Sequence, residues 1–178
     1  MDLHLKGKKV FISGSTKGIG FETARLFLEE GATVIINGRT KKSVESALSS
    51  LNSDNVSGLV ADFLKDSQVK TLIDHIPNDI DILVNNVGIF RGKEFKDETV
   101  DDWNDHFKVN LMSGVQLSKH FLPEMIKRNW GRIIFISSEC ATLVPSDLLS
   151  YSVSKASINV FSSGLAKLTK GTNVTINT

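Results

Sequence analysis

Residues 10–20 read Val10-Phe11-Ile12-Ser13-Gly14-Ser15-Thr16-Lys17-Gly18-Ile19-Gly20, and they set out the unit that the rest of the chain repeats. Val10-Phe11-Ile12 is a short apolar run of the kind that forms a buried strand. Gly14 ends it. A helical stretch then runs from about Gly18 to Glu30 with apolar Ile19, Ala24, Leu26, Phe27 and Leu28, and Gly31 is placed to stop it. Outward from this unit the same alternation continues. Strands are expected at Thr33-Val34-Ile35-Ile36, 56–60, 80–84, 133–136 and 174–176. Helices are expected at about 41–51, 67–75, 100–128 (with a kink at Pro123) and 149–169. Strands separated by helices of this length build βαβ units. The fold class is therefore α/β: a doubly wound, mostly parallel sheet in three α/β/α layers. The strands are near-continuous apolar runs, as expected when both faces are covered. No repeat or composition shift divides the chain, so residues 1–178 read as one domain. Its sixth strand falls at the final residues, and the pattern is expected to be incomplete at the C-terminus.

The 178 residues are 40% hydrophobic and 23% charged, with a formal net charge of +1. That balance gives no sign of a nucleic-acid partner or an acidic membrane surface. Asp2, Lys6, Lys8 and Lys9 interrupt the N-terminus, so it holds no signal-peptide core, and no apolar run is long enough to span a bilayer. Cys140 is the only cysteine, which excludes an intrachain disulfide. These features read as a soluble, cytoplasmic chain.

Between the first strand and first helix, Gly14, Gly18 and Gly20 are spaced Gly-x-x-x-Gly-x-Gly. Glycine permits a tight turn and close approach of a phosphate to the backbone. The helix N-terminus beyond it offers free N–H groups and a partial positive charge. Candidate cofactor contacts are Gly14, Ser15, Thr16, Lys17, Gly18, Ile19 and Gly20; a plain strand-to-helix turn is the alternative. After the second strand comes Asn37-Gly38-Arg39-Thr40, with no carboxylate to bond a ribose 2′-OH. Arg39 can fork onto a 2′-phosphate, and Lys17 adds a second cation. The pattern favours NADP(H) over NAD(H), unless both cations are only solvated surface groups.

Tyr151 and Lys155 are four residues apart on an expected helix and share a face. A phenol has an ordinary pKa of about 10, and bringing it to about 7 takes roughly 4 kcal/mol. A cation at about 4 Å in an effective dielectric near 20 supplies about that much. The pair is a physically sensible general acid/base. Ser137-Ser138 follow the fifth strand and Asn85-Asn86-Val87-Gly88 the fourth, where open α/β sheets place ligands. Asn110 lies in the long helix between them.

These motifs resemble the short-chain dehydrogenase/reductase family, of the kind that includes 3-oxoacyl-acyl-carrier-protein reductases. The resemblance is carried by SGSTKGIG (13–20), Ala61-Asp62, NNVG (85–88), Asn110, Ser138 and YSVSK (151–155). Ser13 and Val87 stand where the family usually has Thr and Ala. The resemblance implies a Rossmann-type, NADP(H)-dependent oxidoreductase that reduces a ketone or 3-oxoacyl carbonyl, or oxidises the alcohol. Tyr151 would be the general acid or base, and Lys155 would lower its pKa and bond the nicotinamide ribose. Ser138 would orient the substrate oxygen. Asn110 would hold a water for proton return. Asp62, Phe63, Asn86 and Gly88 would line the cofactor site. The family continues past a sixth strand into a substrate loop, further helices and a seventh strand. It implies a homodimer or homotetramer acting on a small-molecule substrate. A dinucleotide-binding module without catalysis, regulatory or inactive, is the second reading, and an unstable fragment a third.

Other residues read as bland. His4, His75, His106 and His120 show no metal-ligand spacing, and no metal is expected. Cys140 reads as packing, Glu139 as a solvated loop residue, Thr99 as a helix cap, Trp103 as core and Trp130 as part of a turn.

Overall fold

β1 (Lys9–Ile12) pairs in parallel with β2 (Thr33–Gly38) on one side and with β4 (Ile82–Asn85) on the other. β3 (Val56–Val60) extends the sheet beyond β2, and β5 (Gly131–Phe135) and β6 (Val174–Asn177) extend it beyond β4. The computed structural model describes residues 3–178, so Asp2, one of the charges noted at the N-terminus, lies outside the described residues. All six strands run parallel in the order β3-β2-β1-β4-β5-β6. The winding direction reverses between β1 and β4, and a crevice opens there at the strands' carboxyl ends.

The doubly wound expectation holds, and the strand residues show why. Val10, Ile12, Val34, Ile36, Ile82 and Val84 form one buried layer with Ala24 of α1 (Gly18–Glu29) and Ala47 of α2 (Lys41–Leu51). Phe11, Leu83, Ile133 and Phe135 point to the other face. They pack with Leu72 of α3 (Asp66–His75), Leu117 and Phe121 of α5 (Ser113–Lys127) and Ile158 of α6 (Leu149–Ala166). Burying each such side chain contributes roughly 1.5–3 kcal/mol. The first layer stops short of β5 and β6: Ile134 is half-buried, and Thr175 and Asn177 are exposed.

Local signals account for the element ends. Gly31, at φ +80°, follows α1 and bonds its N–H to the Leu28 carbonyl. Thr40 caps α2 by accepting from the Ser43 N–H. Thr99 caps α4 (Val100–His106) in a capping box with Asp102, as expected.

Several details differ from the sequence reading, among them β5, which runs from Gly131 to Phe135 rather than over 133–136, and α6, which ends at Ala166 rather than 169. The long helix at 100–128 is interrupted by a π-helical turn, Phe107–Met112, rather than at Pro123. Pro123 sits inside α5 on an exposed position, where water can serve the carbonyl left without its N–H partner. β4 starts at Ile82 rather than Ile80, whose carbonyl accepts from the Arg128 guanidinium at 2.7 Å. Trp103 is half-buried, not core, and Ile19 and Leu26 are exposed.

α5 lies unusually close to β5 at Gly114, where an added Cβ would come within 2.7 Å of the Phe135 ring. Gly164 on α6 is exposed with nothing within 4 Å. Thermal unfolding should therefore separate the two. Gly114→Ala is expected to cost about 1–3 kcal/mol through overpacking, and Gly164→Ala to stabilise by up to about 1 kcal/mol through helix propensity. Equal shifts in the two variants would contradict the close approach.

Candidate active site

Three strand ends are laced together beneath the crevice. The Ser13 hydroxyl accepts from the N–H groups of Asn86 and Val87, each at 3.1 Å. The Asn86 amide donates to the carbonyls of Ser13 at 3.0 Å and Gly14 at 2.8 Å. Asn37, at the end of β2, accepts from the Gly14 N–H at 3.1 Å and donates towards Leu59 and Ala61. The Ser15 hydroxyl donates to the Ile12 carbonyl and accepts from the Asn37 N–H. Gly14 holds φ +62°, and a Cβ there would meet the Val87 Cα at 2.8 Å. At Gly20 a Cβ would overlap the Asn86 amide. The glycines thus allow two turns, after β1 and after β4, to touch.

Above this lacing lies a cleft of about 770 Å³. Gly14, Thr16, Lys17, Gly18 and Ile19 line one wall, and Arg39, Asp62, Phe63, Asn86 and Gly88 are among the residues lining the rest. Ser15 and Gly20 are buried behind the turn, so they shape it and do not reach the cleft. α1 starts beyond Lys17 without a side-chain cap, which leaves its first N–H groups turned to whatever fills the cleft. Among the described residues, Lys17 and Arg39 are exposed and belong to no ion pair. The Asp62 carboxylate accepts from the Leu64 N–H at 3.0 Å. An uncapped helix start, a glycine-rich turn and two free cations fit a nicotinamide dinucleotide.

The Tyr/Lys pair lies on α6, beside this cleft. Lys155 is 5% exposed, and its ammonium donates to the Ile136 carbonyl at 2.8 Å. Burial lowers its pKa to about 8. The Nζ stands 6.0 Å from the centre of the Tyr151 ring. Asn110 sits in the π turn, buried. It accepts from the Ile89 N–H at 2.8 Å and donates to the Ile89 carbonyl and the Ser154 hydroxyl. The Ser154 hydroxyl donates to the Tyr151 carbonyl at 2.6 Å. A Cβ on Gly88 would lie 3.3 Å from Asn110 Oδ1 and 3.5 Å from Lys155 Nζ, so Gly88 borders both groups. The Ser138 hydroxyl accepts from the Cys140 N–H at 3.2 Å; its own proton remains available to an acceptor. Ser13, Asn37 and Ser154 carry the site's architecture yet drew no notice as site residues in the sequence. Their partners lie 22 to 74 positions away for Ser13 and Asn37, and 44 away for Ser154. Among the described residues no cluster of His, Cys, Asp and Glu could hold a metal, and no helix is long and apolar enough to cross a membrane.

A doubly wound sheet with a glycine turn at its crevice is the architecture of dinucleotide-dependent oxidoreductases. The chain belongs to the short-chain dehydrogenase family, whose sequence model, described as short chain dehydrogenase, matches residues 8–178. It is 46% identical over 180 residues to an uncharacterized oxidoreductase, YvrD, of Bacillus subtilis (strain 168), covering 99% of this chain and 68% of YvrD. It is 34% identical to the 3-oxoacyl-[acyl-carrier-protein] reductase FabG of Aquifex aeolicus (strain VF5), covering 99% of this chain and 74% of that protein. The crystal structure of L-sorbose reductase from Gluconobacter frateurii, complexed with NADPH and L-sorbose, superposes with a TM-score of 0.92 at 28% identity, covering 99% of this chain and 70% of that one. The chain is thus an enzyme of the oxidoreductase class.

The buried Lys155 gives a pH test. Its pKa is about 8 folded, against an ordinary value of 10.5, so the unfolded chain binds more protons between those values. Stability then rises with pH across that window, and a penalty is fully present below about pH 8. Lys155→Met, which keeps an apolar stem without the charge, should be the more stable protein at pH 7, by up to about 3 kcal/mol. The advantage should shrink towards pH 10. Parallel melting curves from pH 7 to 10 would contradict a buried, charge-penalised ammonium.

Proposed function

We propose that the chain uses NADPH to reduce a ketone or 3-oxoacyl carbonyl of a small molecule, or runs the reverse oxidation, as a cytoplasmic homodimer or homotetramer. The observation that carries this reading is Lys155: a buried ammonium bordered by Gly88, Asn110 and the Tyr151 ring, next to a cleft with an uncapped helix start. Burying a charge is costly, and its retention beside a phenol is what acid/base work requires.

When bound, NADPH supplies a hydride to the carbonyl carbon. The pyrophosphate would rest against Gly14, Thr16, Lys17, Gly18 and the start of α1, and the 2′-phosphate against Lys17 and Arg39. Tyr151 gives its phenolic proton to the carbonyl oxygen as the C=O π bond becomes C–H and O–H. Ser138 donates a second hydrogen bond to the same oxygen. Lys155 holds its positive charge near the phenolate so formed and offers donors to ribose hydroxyls. Asn110 fixes Ile89 and Ser154 around them, and the second lone pair of its Oδ1 is left for a water on the proton-return path. Preference for NADPH is supported by Arg39 and by the neutral Asn37-Gly38 at the end of β2.

Replacing Tyr151 with Phe should lower turnover of a 3-oxo ester by about 10²–10⁴-fold while leaving NADPH binding, followed by nicotinamide fluorescence, within about twofold of wild type. Retained turnover would remove Tyr151 from its role. Arg39→Ala should weaken NADPH binding by about tenfold, the loss of roughly 1.5 kcal/mol of charge-assisted hydrogen bonding, and leave NADH binding unchanged. An equal loss for both cofactors would overturn the phosphate assignment.

A further inference from the structure

α6 begins without a cap of its own. Its N-cap residue, Leu148, makes no side-chain bond to the first turn. The turn is capped from 52 residues upstream instead: the Glu98 carboxylate accepts from the Ser150 N–H at 3.2 Å and from the Ser150 hydroxyl at 2.5 Å. A carboxylate at a helix start is favoured by the helix dipole, and the next residue is Tyr151.

The hydrogens along this contact can be assigned. The His106 Nδ1 lies 2.9 Å from the Asp102 carbonyl and 3.0 Å from the Ser150 hydroxyl. A carbonyl only accepts, so Nδ1 carries the proton. The Ser150 proton goes to Glu98, because a carboxylate also only accepts. The Nδ1 proton is shared between the Asp102 carbonyl and the Ser150 oxygen, the Ser150 proton goes to Glu98, and in the neutral imidazole the other histidine nitrogen carries no proton. That nitrogen, Nε2, is buried with no partner, and burial holds the pKa of His106 below its ordinary value. The second oxygen of Glu98 is also buried and unpartnered. Two unsatisfied polar atoms in one small network are a cost, and such departures from full satisfaction concentrate at functional sites.

The network bears directly on the phenol. The His106 ring meets the Tyr151 ring edge-on, with centroids 6.2 Å apart, and Phe90 meets it at 4.9 Å. Phe90 and Glu98 belong to one segment between β4 and α4. That segment is fastened by the Lys93–Asp102 ion pair and by the Lys93 N–H to the Asp147 carbonyl. Two rings thus meet Tyr151 edge-on, and Glu98 anchors Ser150, the residue before it, which also contacts one of them.

We propose that Glu98 is a positioning residue for Tyr151, acting through Ser150 and His106. The proposal rests on the reading of Tyr151 as the acid/base group. It does not require Glu98 to touch substrate or cofactor. The titratable or charged groups around the phenol are Lys155 and His106, with Glu98, Asp102 and Arg91 bearing on it through His106.

The chain contains one tyrosine, so phenolate absorbance during a pH titration reports Tyr151 alone. We would compare wild type, Glu98→Gln, Glu98→Ala and Ser150→Ala by this titration, by NADPH binding and by reduction of ethyl acetoacetate. Glu98→Ala should lower kcat by about tenfold or more, as misplacement of a reacting group does, leave the KM for NADPH unchanged and displace the phenol titration. Glu98→Gln keeps an acceptor oxygen and should recover most of kcat. Ser150→Ala should behave like Glu98→Ala. A Glu98→Ala protein that melts earlier but keeps the wild-type kcat and phenol titration would overturn the proposal and leave only a helix cap. If wild type reduces no carbonyl, the acid/base reading fails by itself. The phenol titration then still decides: a displaced curve supports positioning by Glu98, and an unchanged one overturns it.

Discussion

Everything at the carboxyl edge of the sheet depends on the contact between two turns, the one after β1 and the one after β4. They approach so closely that a methyl group at Gly14 or Gly20 would collide with Val87 or Asn86. Buried side chains hold them there. Ser13 binds two backbone N–H groups of the second turn, and Asn86 binds two carbonyls of the first. An unpaired buried polar group would cost about 1–3 kcal/mol, so the lacing is an all-or-none arrangement. It also exposes the start of α1 and aligns Gly88 with the groups on α6.

The second constraint is the path from the cleft to the phenol. The π turn at 107–112 lets Asn110 reach both Ile89, just past the β4 turn, and Ser154, on α6. One amide thereby joins the two halves of the site. Inserted π geometry is a recurrent device where a side chain must be re-aimed from a helix. Lys155 completes the arrangement at an energetic cost. The ammonium is bonded to a main-chain carbonyl rather than to a carboxylate, so its charge is not neutralised and stays available to the phenol and to a ribose.

The elements legible in the sequence were those whose signal is local. α2 and β3 fall at their expected bounds because Thr40 caps one and Val56, Leu59 and Val60 mark the other, which pairs along β2. The glycine turn and the Tyr151/Lys155 pair were legible because each is a short spacing with a direct physical meaning. The break in the long helix was misplaced at Pro123. A proline announces itself in sequence, whereas a π turn follows from packing against α6 and leaves no residue signature. The loop sequence does not distinguish Ser15 from its neighbours in the glycine turn; only the fold turns its hydroxyl inward to Ile12 and Asn37.

What the sequence by itself determined is the class of the fold, the order of its elements and the residue types gathered at one sheet edge. Apolar periodicity and turn chemistry act over a few residues and need no partner to be read. Tertiary structure alone decided which groups meet: Ser13 with Asn86, Asn110 with Ser154, and Glu98 with Ser150 and the histidine behind Tyr151. Those pairings join residues 44 to 73 positions apart. They exist because a parallel sheet forces each connection to cross a whole helix before it returns, so the chemistry of one edge is assembled from segments with no local knowledge of one another.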